Sequence, residues 1–147
     1  MRIAVCDDKK EITKQMEEYL LSMKDMAESK LEVFVFNDAD DFLYDMVNSV
    51  PYDAVFMDID LGKSNGIDLA KRIYENYGAT MIAFITGYRQ FIGDVFAVQP
   101  CGFIEKPILR DKVKEVFENI VKKCDDLPKL IYKVNGSVKC SLLREII

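Results

Sequence analysis

Five short apolar runs alternate with helical stripes along this chain, and that alternation limits the fold more than any other feature of the sequence. The runs are Ile3-Ala4-Val5-Cys6, Val33-Phe34-Val35-Phe36, Ala54-Val55-Phe56-Met57, Met81-Ile82-Ala83-Phe84-Ile85 and Gly102-Phe103-Ile104-Glu105. Each is too short for a helix and reads as a strand. The stripes between them repeat at helical spacing: Ile12, Met16, Tyr19, Leu20 and Met23; then Phe42, Leu43, Met46 and Val47, with Asn37 or Asp38 as cap. Ile67, Ala70, Ile73, Tyr74 and Tyr77 follow, then Phe91, Ile92, Val95 and Phe96, and last Val113, Val116, Phe117, Ile120 and Val121. Strand-helix repetition of this kind specifies an α/β domain: a five-stranded parallel sheet, doubly wound, with helices on both faces and right-handed crossovers.

Composition narrows the chemistry. The 147 residues include no histidine, which excludes Ser-His-Asp and Cys-His catalysis and leaves no ordinary zinc-enzyme site. Cys6, Cys101, Cys124 and Cys140 form no CxxC pair and read as reduced thiols of a cytoplasmic protein. A net charge of −5 makes a stand-alone nucleic-acid binder unexpected, since phosphate neutralisation needs clustered Lys and Arg. No apolar run approaches the ~20 residues of a membrane helix, so no membrane partner is expected.

The reactive residues stand at the carboxyl ends of the strands. Asp7 and Asp8 follow the first, Asp58 the third, Thr86 the fourth and Lys106 the fifth. In open sheets of this class ligands bind beyond those ends, where the strand order reverses. Crowded carboxylates favour a hard divalent cation, and Mg²⁺ takes oxygen ligands. A carboxylate can act as nucleophile toward phosphorus, while an ammonium and a hydroxyl stabilise the phosphoryl oxygens. The plainer reading of Asp7-Asp8 is a helix cap, and that of Asp58 a turn residue. Gly62-Lys63-Ser64 is no phosphate loop, because Met57 stands where the earlier glycine is required.

The ordered set Asp7-Asp8, Asp58, Thr86, Lys106-Pro107 resembles the receiver domains of two-component response regulators over residues 1–123. The resemblance implies a flavodoxin-like, CheY-like fold and a phosphorylation-dependent switch rather than an enzyme. It implies Asp58 as phosphoacceptor and Mg²⁺ held by Asp7, Asp8, Asp58 and the Asp60 backbone carbonyl. It makes Lys106 the phosphate-contacting lysine, Thr86 the switch hydroxyl, and Phe103 the switch aromatic, where many members have tyrosine. It also implies a cis bond before Pro107. The phosphodonor would be a sensor histidine kinase, and phosphorylation would promote homodimerisation. The alternative is a phosphatase: Asp58-Ile59-Asp60 resembles the Asp-x-Asp motif of haloacid dehalogenases, but it sits on the third strand rather than the first.

Beyond Val121 the pattern changes. Cys124 to Lys129 reads as a linker, and residues 130–147 as a β-hairpin extension. Leu130, Tyr132 and Val134 alternate with polar and apolar neighbours, Asn135-Gly136 supplies the turn, and Val138, Cys140 and Leu142 alternate again. One apolar face is expected to need a partner. The segment Phe96 to Pro107 is similar to receivers attached to LytTR DNA-binding domains, and residues 131–138 to the first strands of such a domain. The expectation is an incomplete effector domain, with DNA contacted only through its missing remainder, in a regulator of transcription.

Overall fold

The computed structural model describes residues 1–87 and 95–125, together with the backbone of two further strands at 129–134 and 137–142. Five parallel strands form the central sheet: β1 (Arg2–Cys6), β2 (Glu32–Phe36), β3 (Ala54–Asp58), β6 (Met81–Thr86) and β7 (Gly102–Glu105). Two-residue strands β4 (Asp60–Leu61) and β5 (Ser64–Asn65) pair as a small hairpin after β3, an element with no apolar signature in the sequence. The spatial order is β2-β1-β3-β6-β7. The chain therefore starts in the middle of the sheet, builds outward to β2, then returns to the other side of β1. The order reverses between β1 and β3, which places the binding crevice at their carboxyl ends. The five-stranded parallel sheet with helices on both faces, expected from the alternation, is present.

The strands read as continuous apolar runs because both faces of the sheet are covered. Ile3, Val5, Phe56, Ala83, Ile85 and Ile104 pack on one face beneath α1 (Lys10–Ser22) and α4 (Arg110–Asp125). Those helices contribute Met16, Leu20, Val113, Phe117 and Ile120. Ala4, Cys6, Val55, Met57, Ile82 and Phe84 face the other way, toward α2 (Ala39–Asn48) and α3 (Gly66–Asn76), which supply Phe42, Met46, Ile67, Ala70 and Ile73. Asp38 caps α2 by accepting the Asp40 N–H at 2.7 Å. Among the described residues no helix is long and apolar enough to cross a membrane.

Several expectations need correction. Val47 and Tyr74 fit the helical stripes by spacing but are 69% and 38% exposed, at the margins of their helices' buried faces. Of the expected fourth helix, Phe91 and Ile92 lie outside the described residues. Val95 is buried, and Phe96–Val98 is a 3₁₀ turn with Phe96 largely exposed. Gln99 closes that turn with φ of 50°, a left-handed conformation that stops any helix from continuing. Helix α4 runs to Asp125 with Cys124 buried in the core, so the helix overruns the start of the expected linker by two residues (124 and 125).

Strands β8 (Lys129–Val134) and β9 (Ser137–Leu142) pair antiparallel as a sheet of their own. Asn135 and Gly136, the expected turn, lie outside the described residues. The register pairs Leu130 with Ser141, Tyr132 with Lys139 and Val134 with Ser137, and it pairs Ile131 with Cys140 and Lys133 with Val138. The side chains of these two strands, and with them the expected apolar face, lie outside the described part of the structure.

Candidate functional site

The β1 end of the site is fixed by backbone bonds. The Asp7 N–H donates to the Phe36 carbonyl at 3.1 Å, extending the β1–β2 ladder by one step. The Asn37 amide donates to the Asp7 carbonyl at 2.9 Å. The Lys9 N–H donates to Asp7 Oδ1 at 2.9 Å, just before α1 begins. The plain capping reading does not hold, since Lys9 is the N-cap of α1 and no side chain caps the helix; the Asp7 bond closes a turn ahead of it and uses one carboxylate oxygen. Asp7 is fully buried, and Asp8 beside it is exposed.

Asp58 is the last residue of β3 and is buried, with 2% of its surface exposed. The Asp60 N–H lies 3.3 Å from Asp58 Oδ1. Asp60 in turn accepts the Gly62 N–H at 3.0 Å, and Gly62 takes the left-handed φ of 74° that the turn requires. Asn65 caps α3 through the Ile67 N–H at 2.8 Å. Gly66 opens that helix directly against the Asp58 peptide: a Cβ there would sit 1.9 Å from the Asp58 carbonyl oxygen. Only glycine lets helix and strand end approach this closely.

Lys106 comes from the far side. Its N–H donates to the Thr86 carbonyl at 3.0 Å, and the Lys106–Pro107 bond is cis, as expected. Its Nζ lies 3.1 Å from Asp58 Oδ2 and 3.1 Å from Asp7 Oδ2. Asp7 Oδ2 is buried and has no partner in hydrogen-bond geometry, so the ammonium serves it as counter-charge only. Thr86 is buried at the end of β6, one step beyond the Asp58–Ile85 pair. Phe103, half-buried on β7, stacks on buried Phe84 with centroids 5.9 Å apart and meets the exposed ring of Phe96 edge-on at 6.0 Å.

Electrostatics follow from this crowding. Burial, then the neighbouring Asp7 charge, push the Asp58 carboxyl up to about 6 despite the hydrogen bond and charge of Lys106. Burial and Asp7 also raise Asp8. Burial by itself would lower Lys106, but the hydrogen bond and charge of Asp58 and the charge of Asp7 outweigh it and the net direction is upward. Cys6, under the same acids, is pushed up to about 12, chiefly by burial, which makes its thiol inert.

Asp7, Asp8 and Asp58 each offer an oxygen, and these three atoms lie within 4.8 Å of one another. One ammonium against three carboxylates leaves excess negative charge, and Asp7 Oδ2 still lacks a directed partner. An all-oxygen set of this kind fits a hard divalent cation. Asp60 is exposed beside the set, and its nearness to Asp8 contributes to that residue's raised pKa. The structure thus brings Asp7, Asp8, Asp58 and Lys106 together, with Thr86 and Phe103 on the adjoining strands. Two neighbours escaped the sequence reading. Asn37 is a candidate cap only in the sequence, and Gly66 carries no signal there.

A model of the response regulator receiver domain matches residues 3–118. The sensory transduction protein LytT of Enterococcus faecalis is 28% identical over 123 residues, covering 84% of this chain and 49% of its own length. The protein of the same name from Bacillus subtilis is 27% identical over 84 residues, covering 57% of this chain and 35% of its own. The chain thus spans half or less of the length of these relatives. A receiver domain protein described as CheY-like, from Methanospirillum hungatei, superposes with a TM-score of 0.73 at 18% identity, covering 83% of this chain and 94% of that one. At that identity the likeness bears on the fold alone.

Proposed function

The chain belongs to the response regulator receiver domain family, and on that premise we propose that Asp58 is the phosphoryl acceptor of its phosphorylation-dependent switch. The observation that carries this reading is the convergence of buried Asp58 with Lys106 Nζ at 3.1 Å and the Asp7 and Asp8 carboxylates, at the reversal point of the sheet. Asp58 is held by its neighbours but is not enclosed in a saturated network, since Oδ1 has only a long bond to the Asp60 N–H.

In the proposed reaction an Asp58 carboxylate oxygen supplies the electron pair that forms a bond to phosphorus. The phosphorus–nitrogen bond of a donor phosphohistidine breaks, and the nitrogen keeps that pair. With no histidine in this chain, the donor is a sensor histidine kinase or a small acyl phosphate. Lys106, already beside Oδ2, neutralises charge on the transferred oxygens. Asp7, Asp8, Asp58 and the Asp60 carbonyl would hold Mg²⁺, which would supply positive charge there. The Thr86 hydroxyl, at the end of the adjoining strand, is the group that senses the phosphoryl oxygen.

The output is conformational. Thr86 drawn toward the phosphoryl group leaves space that Phe103 fills, and the resulting surface favours a homodimer. Residues 130–147 are LytTR-like in pattern, with three basic residues, Lys133, Lys139 and Arg144, against one acid, Glu145, in a chain that is acidic as a whole. The relatives' description as sensory transduction proteins supports a signalling role. The test is incubation with acetyl phosphate and Mg²⁺ followed by intact-mass measurement. One phosphoryl group is expected on the wild type and none on Asp58→Asn or without Mg²⁺. Equal labelling of the variant would overturn the assignment.

A further inference from the structure

We infer that Asn37 is a positioning residue for the acidic pair, setting divalent-cation affinity through the backbone of Asp7. The inference rests on the phosphoacceptor reading above and deepens it. The β1–β2 ladder ends with the Asp7 N–H on the Phe36 carbonyl, so the Asp7 carbonyl lies beyond the last rung with no strand partner. Asp7 is fully buried, and a buried carbonyl without a donor is costly. Asn37, the first residue after β2, meets that need: its Nδ2 donates to the Asp7 carbonyl at 2.9 Å.

The same Nδ2 donates to Thr13 Oγ1 at 3.0 Å, and Thr13, 1% exposed, itself donates to the Lys10 carbonyl at 3.1 Å. An amide nitrogen has two hydrogens, so both bonds form together. Asn37 thus ties the end of β1 to the first turn of α1. The carbonyl it holds belongs to the Asp7–Asp8 peptide. Fixing that plane fixes the direction in which the Asp8 side chain leaves the backbone. It also fixes the turn in which the Lys9 N–H reaches Asp7 Oδ1. With Asn37 removed, the 7–8 peptide loses the anchor on its carbonyl, and the Asp8 oxygen is held less firmly within 4.8 Å of those of Asp7 and Asp58, which Lys106 still bridges. Removing a group that orients ligands from behind in this way typically costs about 10–100-fold in metal affinity.

The bond to Thr13 provides the control. Thr13→Val removes the amide's second partner but leaves its bond to Asp7, so it perturbs packing without releasing the peptide. The experiment is calorimetric titration of the unphosphorylated full chain with Mg²⁺, alongside hydrogen exchange of the Lys9 amide in the metal-free protein. Asn37→Ala should weaken Mg²⁺ binding about tenfold or more and speed Lys9 exchange. Thr13→Val should change neither. Asn37→Leu, which fills the same space without a donor, carries the test if the alanine variant does not fold. Wild-type affinity in the Asn37 variants would overturn the inference, as would an equal loss in Thr13→Val. A wild type that binds no Mg²⁺ would instead overturn the proposed cation site itself, and this inference with it.

Discussion

Replacing Asp58 with asparagine should stabilise the metal-free protein, and the structure gives the size of the effect. Asp58 is 2% exposed and shares its crevice with Asp7 and Asp8, against a single ammonium from Lys106. Its carboxyl is raised from 3.8 to about 6, with burial the largest cause and Asp7 the next. A folded-state pKa above the unfolded one means the native state prefers the protonated form. Ionisation therefore destabilises the fold. The penalty is absent below the unfolded pKa, grows across the window from about 4 to about 6, and is complete above it. At about 1.4 kcal/mol for each unit, the charge costs the native state about 3 kcal/mol at neutral pH. Asparagine has the same shape and no charge, and Lys106 keeps its partner in Asp7 at 3.1 Å. Urea melts with a chelator present should show Asp58→Asn more stable by about 1–3 kcal/mol at pH 7, with the gap closing by pH 4. Saturating Mg²⁺ should narrow it at pH 7 by stabilising the wild type. Equal stability at pH 7, or a gap that persists unchanged on acidification, would refute the argument that charge crowding dominates this site.

Gly66→Ala should lose both stability and phosphorylation, because its Cβ would stand 1.9 Å from the Asp58 carbonyl oxygen. Overpacking of this sort costs about 1–3 kcal/mol and sometimes more, readable as a lower urea midpoint, and wild-type labelling by acetyl phosphate would count against the close approach. Thr86→Ala should still take a phosphoryl group but lose phosphate-dependent association in sedimentation, since Thr86 belongs to the proposed output path and not to the acid cluster. The same association in wild type and variant would break that link.

The fold was legible because the sheet is buried on both faces. Runs such as Ile3–Cys6 and Ala54–Met57 must then be wholly apolar, and their ends are where polarity resumes at Asp7 and Asp58. Those acids and Lys106 stood out for the same reason: each alone fits a cap or a turn, but together they mark the ends of neighbouring buried strands. Phe96 was not legible, because an aromatic at helical spacing does not reveal that Gln99 turns left-handed three residues later. Gly66 and Asn37 were missed because their roles lie in backbone contacts, with the Asp58 peptide and the Asp7 carbonyl, and no side-chain pattern records those. The pairing of β8 with β9 follows the alternation on either side of Asn135-Gly136, but alternation alone leaves their register open.

The central claim is that Asp58 itself carries the phosphoryl group, and trapping the acyl phosphate tests it most directly. The protein is incubated with acetyl phosphate and Mg²⁺, reduced with borohydride, digested and mapped by mass spectrometry. An aspartyl phosphate is reduced to homoserine, so homoserine at position 58 and at no other aspartate is the expected result. Homoserine at Asp7, Asp8 or Asp60 with Asp58 unmodified would contradict the account.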